Sequence, residues 1–434
     1  MNKYEIDVFA ENEIRKSLND DVLLRKKDMI NLSKIFNCLN ENYIISIDGA
    51  WGTGKTFFIN QLLYCFNNDV TSLFSNNDAN IISKLKEVYI PVYYNAWAND
   101  DHSDIVESLI FNILNEYPKY RNNILFDKDD FRNLIKDFGK NFIEKSSKGF
   151  FTKEMFDNFK SIKDFADNVI TYEEKKQCLE KLLNKIIGDN NRLLLIIDEL
   201  DRCKPDYAVK MLETIKHFYN IDKITIVVST DNAQLSNCIK HFYGDDFDGY
   251  GYLNKIYDTV LTLTLKNRDR YLETYCNFID SEASEQISYI LIDHYDMSLR
   301  ECNRLVSMYD LSYKYISMSD GFVASKYSLC SSFFLMIGLV LKIKDIREFN
   351  NYVRGNDDNF VIKIMNEVIN KKPHFSDWFF KQLSGNKAVP NDWNMEEELL
   401  NMYHETFSKI KDPIAFPMIE ALSLIGSKII VDEK

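Results

Sequence analysis

The sequence predicts an α/β fold built on a parallel sheet, followed by an all-α C-terminal domain. Three observations carry this. Short apolar runs rich in β-branched residues alternate with amphipathic helical stretches between residues 43 and 265. A glycine-rich turn joins the first of those runs to its helix. From about residue 270 onward strand patterns nearly vanish and helical periods take over.

Residues 1–40 read as helical. Leu23, Leu24, Met29, Ile30, Leu32, Ile35 and Phe36 recur at helical spacing, with Asn19-Asp20-Asp21 as the start. Tyr43 to Ile47 is the first strand, and the helix after the glycine turn begins near Lys55 with Phe57, Phe58, Ile59, Leu62 and Leu63. The polar stretch 67–80 reads as a loop. Val88 to Tyr94 is the second strand, ending in Asn95-Ala96-Trp97, and a helix from Ser103 follows. Residues 119–190 are charged, with Met155, Phe159, Ile162, Ala166 and Val169 on one helical face. They read as a helical insertion, either an ordinary excursion or a partner-binding module. Leu193 to Ile197 is the third strand, a continuous apolar run of the kind buried on both faces of a parallel sheet. A helix with Val209, Leu212, Ile215 and Phe218 comes next. Ile224 to Val228 is the fourth strand, ending in Ser229-Thr230-Asp231, and Tyr257 to Leu265 is the fifth. Helical periods then run through Leu291–Tyr315, Tyr327–Val340, Val361–Ile369 and Met395–Phe407, with 384–393 as a loop. The expected domains are 1–40 (N-terminal helices), 41–118 and 191–268 (two parts of one core), 119–190 (the insertion) and 269–434 (the helical lid or effector domain).

Composition narrows the classes. The chain has 434 residues, 45% hydrophobic and 14% aromatic, ample for real cores. With 53 basic against 66 acidic residues the net charge is −13, which counts against nonspecific nucleic-acid binding as the main activity. The cysteines at 38, 65, 178, 203, 238, 276, 302 and 330 form no C-x-x-C pair, so neither a zinc site nor a disulfide framework is expected. Reduced thiols in a cytoplasmic protein account for them. No signal peptide or transmembrane segment is expected. The longest uncharged stretch, Tyr327 to Leu341, is too short for a span and reads as a buried helix.

Gly49 to Thr56 fits G-x-x-x-x-G-K-[ST] without mismatch. Glycines let the backbone bend until several N–H groups point into one concavity that holds phosphate oxygens. The helix starting near Lys55 sets its positive end under the same phosphates. Gly49, Gly52, Thr53, Gly54, Lys55, Thr56 and Phe57 are therefore expected to contact nucleotide. Lys55 reaches the β- and γ-phosphates and counts among the catalytic residues, and the Thr56 hydroxyl is an expected Mg²⁺ ligand. Asp198, at the tip of an apolar strand, is the other expected metal ligand, because such a strand ends at the crevice where nucleotides lie. Glu199 is the expected general base; the competing reading is a helix cap or a partner of Arg202. Arg202 either stabilises charge on the γ-phosphate, in its own subunit or a neighbour's, or pairs with Asp201 or Glu199. Thr230 or Asp231 senses the γ-phosphate or positions water, unless its role is structural. Arg300 is a lid-arginine candidate. No guanine-reading motif stands out, so ATP with Mg²⁺ is the expected cofactor pair.

The chain resembles the KAP P-loop NTPases. Four pieces carry the resemblance: Gly49-Ala50-Trp51-Gly52-Thr53-Gly54-Lys55-Thr56 with its internal tryptophan, Asn95-Ala96-Trp97 after a tyrosine in place of Phe, Asp198-Glu199-Leu200-Asp201-Arg202-Cys203, and Tyr252-Leu253-Asn254-Lys255-Ile256. Together they cover about residues 40–345. The resemblance adds Trp51 to the nucleotide-binding set and implies an additional-strand (ASCE-type) P-loop NTPase fold. The second acid is Glu199 where the family has Asp, which favours hydrolysis. Many members insert membrane helices where this chain has its charged 119–190 segment, so a membrane role is not carried over. Bacterial relatives include phage-exclusion and anti-phage proteins, which implies a nucleotide-driven switch in defence, with a protein partner or self-oligomer. Two further readings stay open: a low-turnover ATP-binding scaffold that recruits a partner, and a nucleic-acid-stimulated ATPase.

Overall fold

A computed structural model describes residues 10–102, 104–106, 108–110, 112–113, 180, 191–219, 221–275, 282–317, 326–355, 357–371, 395–407 and 422. The expectations for the insertion at 119–190, Glu180 apart, and for the loop at 384–393 lie outside the described residues. The chain divides into two compact units, Val8–Thr264 and Leu265–Lys434.

The first unit holds α1 (Glu11–Asp20), α2 (Arg25–Cys38), β1 (Tyr43–Asp48), α3 (Lys55–Asn67), α4 (Asn76–Val88), β2 (Tyr89–Asn95), β3 (Arg192–Asp198), α5 (Pro205–Phe218), β4 (Ile224–Thr230), α6 (Asn232–Tyr243), α7 (Gly249–Asn254) and β5 (Thr259–Thr262). Its five strands form one parallel sheet in the order β2-β3-β4-β1-β5. β4 is thus the additional strand, between the strand that feeds the glycine turn and the strand that ends in Asp198. This is an α/β P-loop NTPase fold.

The sequence explains why both faces are covered. Side chains alternate across a strand, so an unbroken apolar run supplies two cores at once. Leu193, Leu195 and Ile197 of β3 enter one core with α5, α6 and the helical turns carrying Ile105 and Leu109. Leu194 and Ile196 enter the other, with α1, α2, α3 and α4. Tyr94 is fully buried with its hydroxyl 2.8 Å from both Ser108 Oγ and Tyr207 OH. Burial pushes that phenol up to about 12, so it stays protonated.

Two local expectations need correction. Asn19-Asp20-Asp21 does not start a helix; it ends α1. Asp21 adopts φ 43°, and its N–H caps the Ser17 carbonyl at 2.9 Å. Aspartate tolerates that left-handed conformation, and its carboxylate then accepts the Lys26 N–H at 3.0 Å, tying the turn to α2. The polar stretch 67–80 is not all loop, because α4 begins at Asn76. Ser75 Oγ accepts the Asp78 N–H at 3.3 Å, so serine and aspartate cap a helix that Ile82 and Leu85 anchor in the core.

The described residues of the second unit form helices and no strand: α8 (Arg268–Tyr275), α9 (Glu282–His294), α10 (Leu299–Ser317), α11 (Lys326–Lys344), α12 (Ile346–Val353), α13 (Asp358–Lys371) and α14 (Met395–Phe407). The expected Leu291–Tyr315 period is two helices, divided at Asp296, which adopts φ 42°. α11 is buried on every side from Phe333 to Leu341, as an all-apolar helix must be. Among the described residues no helix is long and apolar enough to cross a membrane.

Candidate active site

The sheet register gathers the site. Asn95 pairs with Asp198, Asp198 with Ser229, Asp48 with Thr230 and with Thr262, so the carboxyl ends of all five strands finish level. The chain leaves β1 into the glycine turn at that edge. Gly49 is there for close approach: a Cβ would lie 2.9 Å from Thr53 Oγ1 and 3.2 Å from the Leu263 carbonyl. Gly52 and Gly54 adopt φ 82° and 89°, which glycine allows at little cost. The Gly49 N–H donates to the Thr230 carbonyl at 3.3 Å, fixing the turn to β4. Asp48 Oδ1 accepts the Asn232 N–H at 2.9 Å, tying β1 to the start of α6.

Lys55 opens α3, and its ammonium donates to the carbonyls of Gly49 and, at 3.3 Å, Ala50. Burial lowers its pKa, opposed by Asp201, Asp231, Asp198 and Asp48, which surround it with negative charge. Thr56 and Phe57 follow on the first turn, both partly buried.

Across β4, Asp198 is almost fully buried. Its Oδ1 accepts the Glu199 N–H at 3.0 Å and its Oδ2 the Tyr93 hydroxyl at 3.2 Å. Glu199 sits at φ 62°, a conformation a glutamate rarely adopts, and its N–H also reaches the Ser229 carbonyl at 3.2 Å. That strained turn aims the side chain back at the strand ends. Its carboxylate meets Arg202 Nη1 at 2.8 Å and accepts from Asn95 Nδ2 at 3.3 Å. Burial raises the Glu199 pKa, and Arg202 opposes the shift. The Arg202 guanidinium also lies 5.6 Å from the centre of the Trp97 ring. Asp201 is buried and accepts from Trp51 Nε1–H, a direct tie between the glycine turn and the acidic turn. Burial raises its pKa too, against that bond and Lys55.

Thr230 is wholly buried. Its carbonyl serves Gly49, and its Oγ1 finds no partner among the described residues. Asp231 caps α6, its Oδ1 accepting from Ala233 N–H at 3.1 Å and Gln234 N–H at 3.2 Å. Arg300 belongs to the second unit, exposed on the first turn of α10, whose cap is the Ser298–Glu301 pair.

Residues 25–316, more than half of the chain, match the family described as KAP family P-loop domain. The chain belongs to the KAP family. Nucleotide binding is the activity that this P-loop domain implies. No curated protein matches the chain.

The KAP site suits a hard cation. Asp198 and Thr56 are oxygen donors, and Mg²⁺ is ordinarily held by one or two carboxylates together with substrate phosphates. Among the described residues no three His, Cys, Asp or Glu side chains form an all-protein cage. Three of these contacts escaped the sequence reading, the Trp51–Asp201 bond among them. Asn95 stood inside a quoted motif, but only the register with Asp198 gives it Glu199 to hold. Tyr93 has no sequence signature as a partner of Asp198.

Proposed function

We propose that this KAP protein is a Mg²⁺-dependent ATP hydrolase that works as a nucleotide-driven switch. The observation that carries the reading is the pairing of Asp198 and Glu199 at one strand end, one strand removed from β1 and its glycine turn. In the proposed mechanism the glycine turn and Lys55 hold the phosphate chain. Thr56 and Asp198 would hold Mg²⁺, which would supply positive charge against the phosphates. Glu199 orients water and takes its proton. In this reading Arg202 leaves the carboxylate to stabilise charge on the γ-phosphate. Thr230, Asp231 and Arg300 are proposed as further nucleotide contacts, and the helical C-terminal domain as the part that responds. A role in cytoplasmic anti-phage defence, through a protein partner or self-oligomer, rests on the family resemblance.

Glu199→Gln preserves shape and the bond from Asn95. It is expected to lower turnover by about 10²–10⁴-fold while ATP affinity changes little. Wild-type turnover in that variant removes Glu199 as the base. Lys55→Ala is expected to weaken ATP binding itself. If the defence role holds, cells carrying either variant lose protection in a phage plating assay.

A second reading has its own support. Glu199 is engaged by Arg202 and Asn95 rather than exposed to the crevice, as suits a protein that holds ATP and turns over little. Purified protein that retains ATP without forming ADP favours this scaffold reading.

A further inference from the structure

The turn between α1 and α2 contains two left-handed residues, Asp21 at φ 43° and Leu24 at φ 55°. A leucine there is an outlier, because its Cβ crowds the backbone. The turn delivers Arg25, the first residue of α2, with 4% of its surface exposed. Its Nη1 lies 3.5 Å from Asp28 Oδ2, and its Nη2 donates to the Thr53 carbonyl at 3.1 Å. A buried guanidinium must be paired and hydrogen-bonded to be tolerated. This one directs a donor at the backbone of the phosphate loop.

The consequence follows from peptide geometry. The Thr53–Gly54 peptide is planar and trans, so its C=O and N–H point in opposite directions. Gly54 at φ 89°, with Gly52 at φ 82° nearby, leaves that stretch of backbone soft. Among the described residues Thr53 is otherwise tethered within its turn, its Oγ1 and N–H both bonding the Ala50 carbonyl. We propose that Arg25 is a positioning residue that locks the Thr53–Gly54 peptide and so presets the Gly54 N–H as a donor to bound phosphate. Its action on phosphate is through the loop, with its own guanidinium behind the backbone. The proposal rests on the nucleotide-binding reading of the loop.

The test is calorimetric titration of the full chain with ADP and ATP, alongside steady-state turnover. The double variant Arg25→Met/Asp28→Leu removes both charges of the pair together. Its Kd for both nucleotides is expected to rise about tenfold, the scale of one lost charge-assisted contact, with kcat at saturating ATP within about twofold. Arg25→Lys keeps the charge but cannot span both Asp28 and Thr53, and is expected to lose about threefold. Simple loss of folded protein would lower the number of sites per chain and kcat while leaving Kd unchanged. A folded double variant with wild-type Kd overturns the proposal. If that variant does not fold, Arg25→Lys decides, and an unchanged Kd there overturns it equally. Wild-type protein that binds neither nucleotide, no better than Lys55→Ala, sinks the underlying reading instead.

Discussion

Glu199 and Asp201 hold their protons more tightly in the fold than an exposed carboxyl does, because burial disfavours their charged forms. The sign for stability follows. A raised folded pKa gives a contribution that is fully present below the ordinary carboxylate value and lost as pH rises through the raised one. The consequence for catalysis runs the other way, since a water-activating carboxylate must be ionised. The acid limb of the pH profile of kcat/KM is therefore expected above the ordinary glutamate value of about 4.3. A limb at or below that value would mean that Glu199 does not set it. Arg202 is the residue to watch in that experiment. Its ion pair holds the Glu199 pKa down, so its removal should move the limb further toward neutral pH.

At the scale of elements, caps and strand ends decide where chemistry sits. β3 could bury an unbroken run because β2 and β4 pair with its edges and helices cover both of its faces, so its chain meets polar partners at Asp198. α4 shows how a short polar sequence becomes a helix. Asparagines and aspartate at 76–78 look like loop, yet Ser75 supplies the acceptor and Asp78 the negative charge for the first turn. Ser75→Ala is expected to destabilise the protein by about 1 kcal/mol, read as a lower denaturant midpoint with an unchanged slope. No change would mean that the packing of Ile82 and Leu85 alone holds α4. α1 and α2 also depend on a turn that composition hides, since a left-handed leucine has no sequence pattern of its own.

For the whole molecule the governing quantity is charge. A net −13 opposes a polyanion, and none of the site cations stands in a basic stripe with interleaved aromatics. Duplex or single-stranded DNA at low salt is expected to change ATP turnover by less than about twofold. Strong stimulation that collapses between low and moderate salt would instead revive the nucleic-acid reading. The domain limits at 1–40, 119–190 and 269–434 remain a proposal, to be checked by limited proteolysis at their boundaries.

The amino-acid sequence alone determined the sheet, the glycine turn and the strand-end acids. Those signals are local: a run of β-branched residues, glycines at fixed spacing, a polar residue ending an apolar strand. It also carried the family, through Trp51, Asn95-Ala96-Trp97 and the Asp198–Cys203 segment. Only the tertiary structure decided which strand lies between β1 and β3, because strand order depends on pairing between segments far apart in the chain. For the same reason it alone brought Asn95 to Glu199, Trp51 to Asp201 and Arg25 to Thr53, and it chose Glu199 as the partner of Arg202. Most of those contacts join residues far apart in sequence, and that separation leaves no periodic trace.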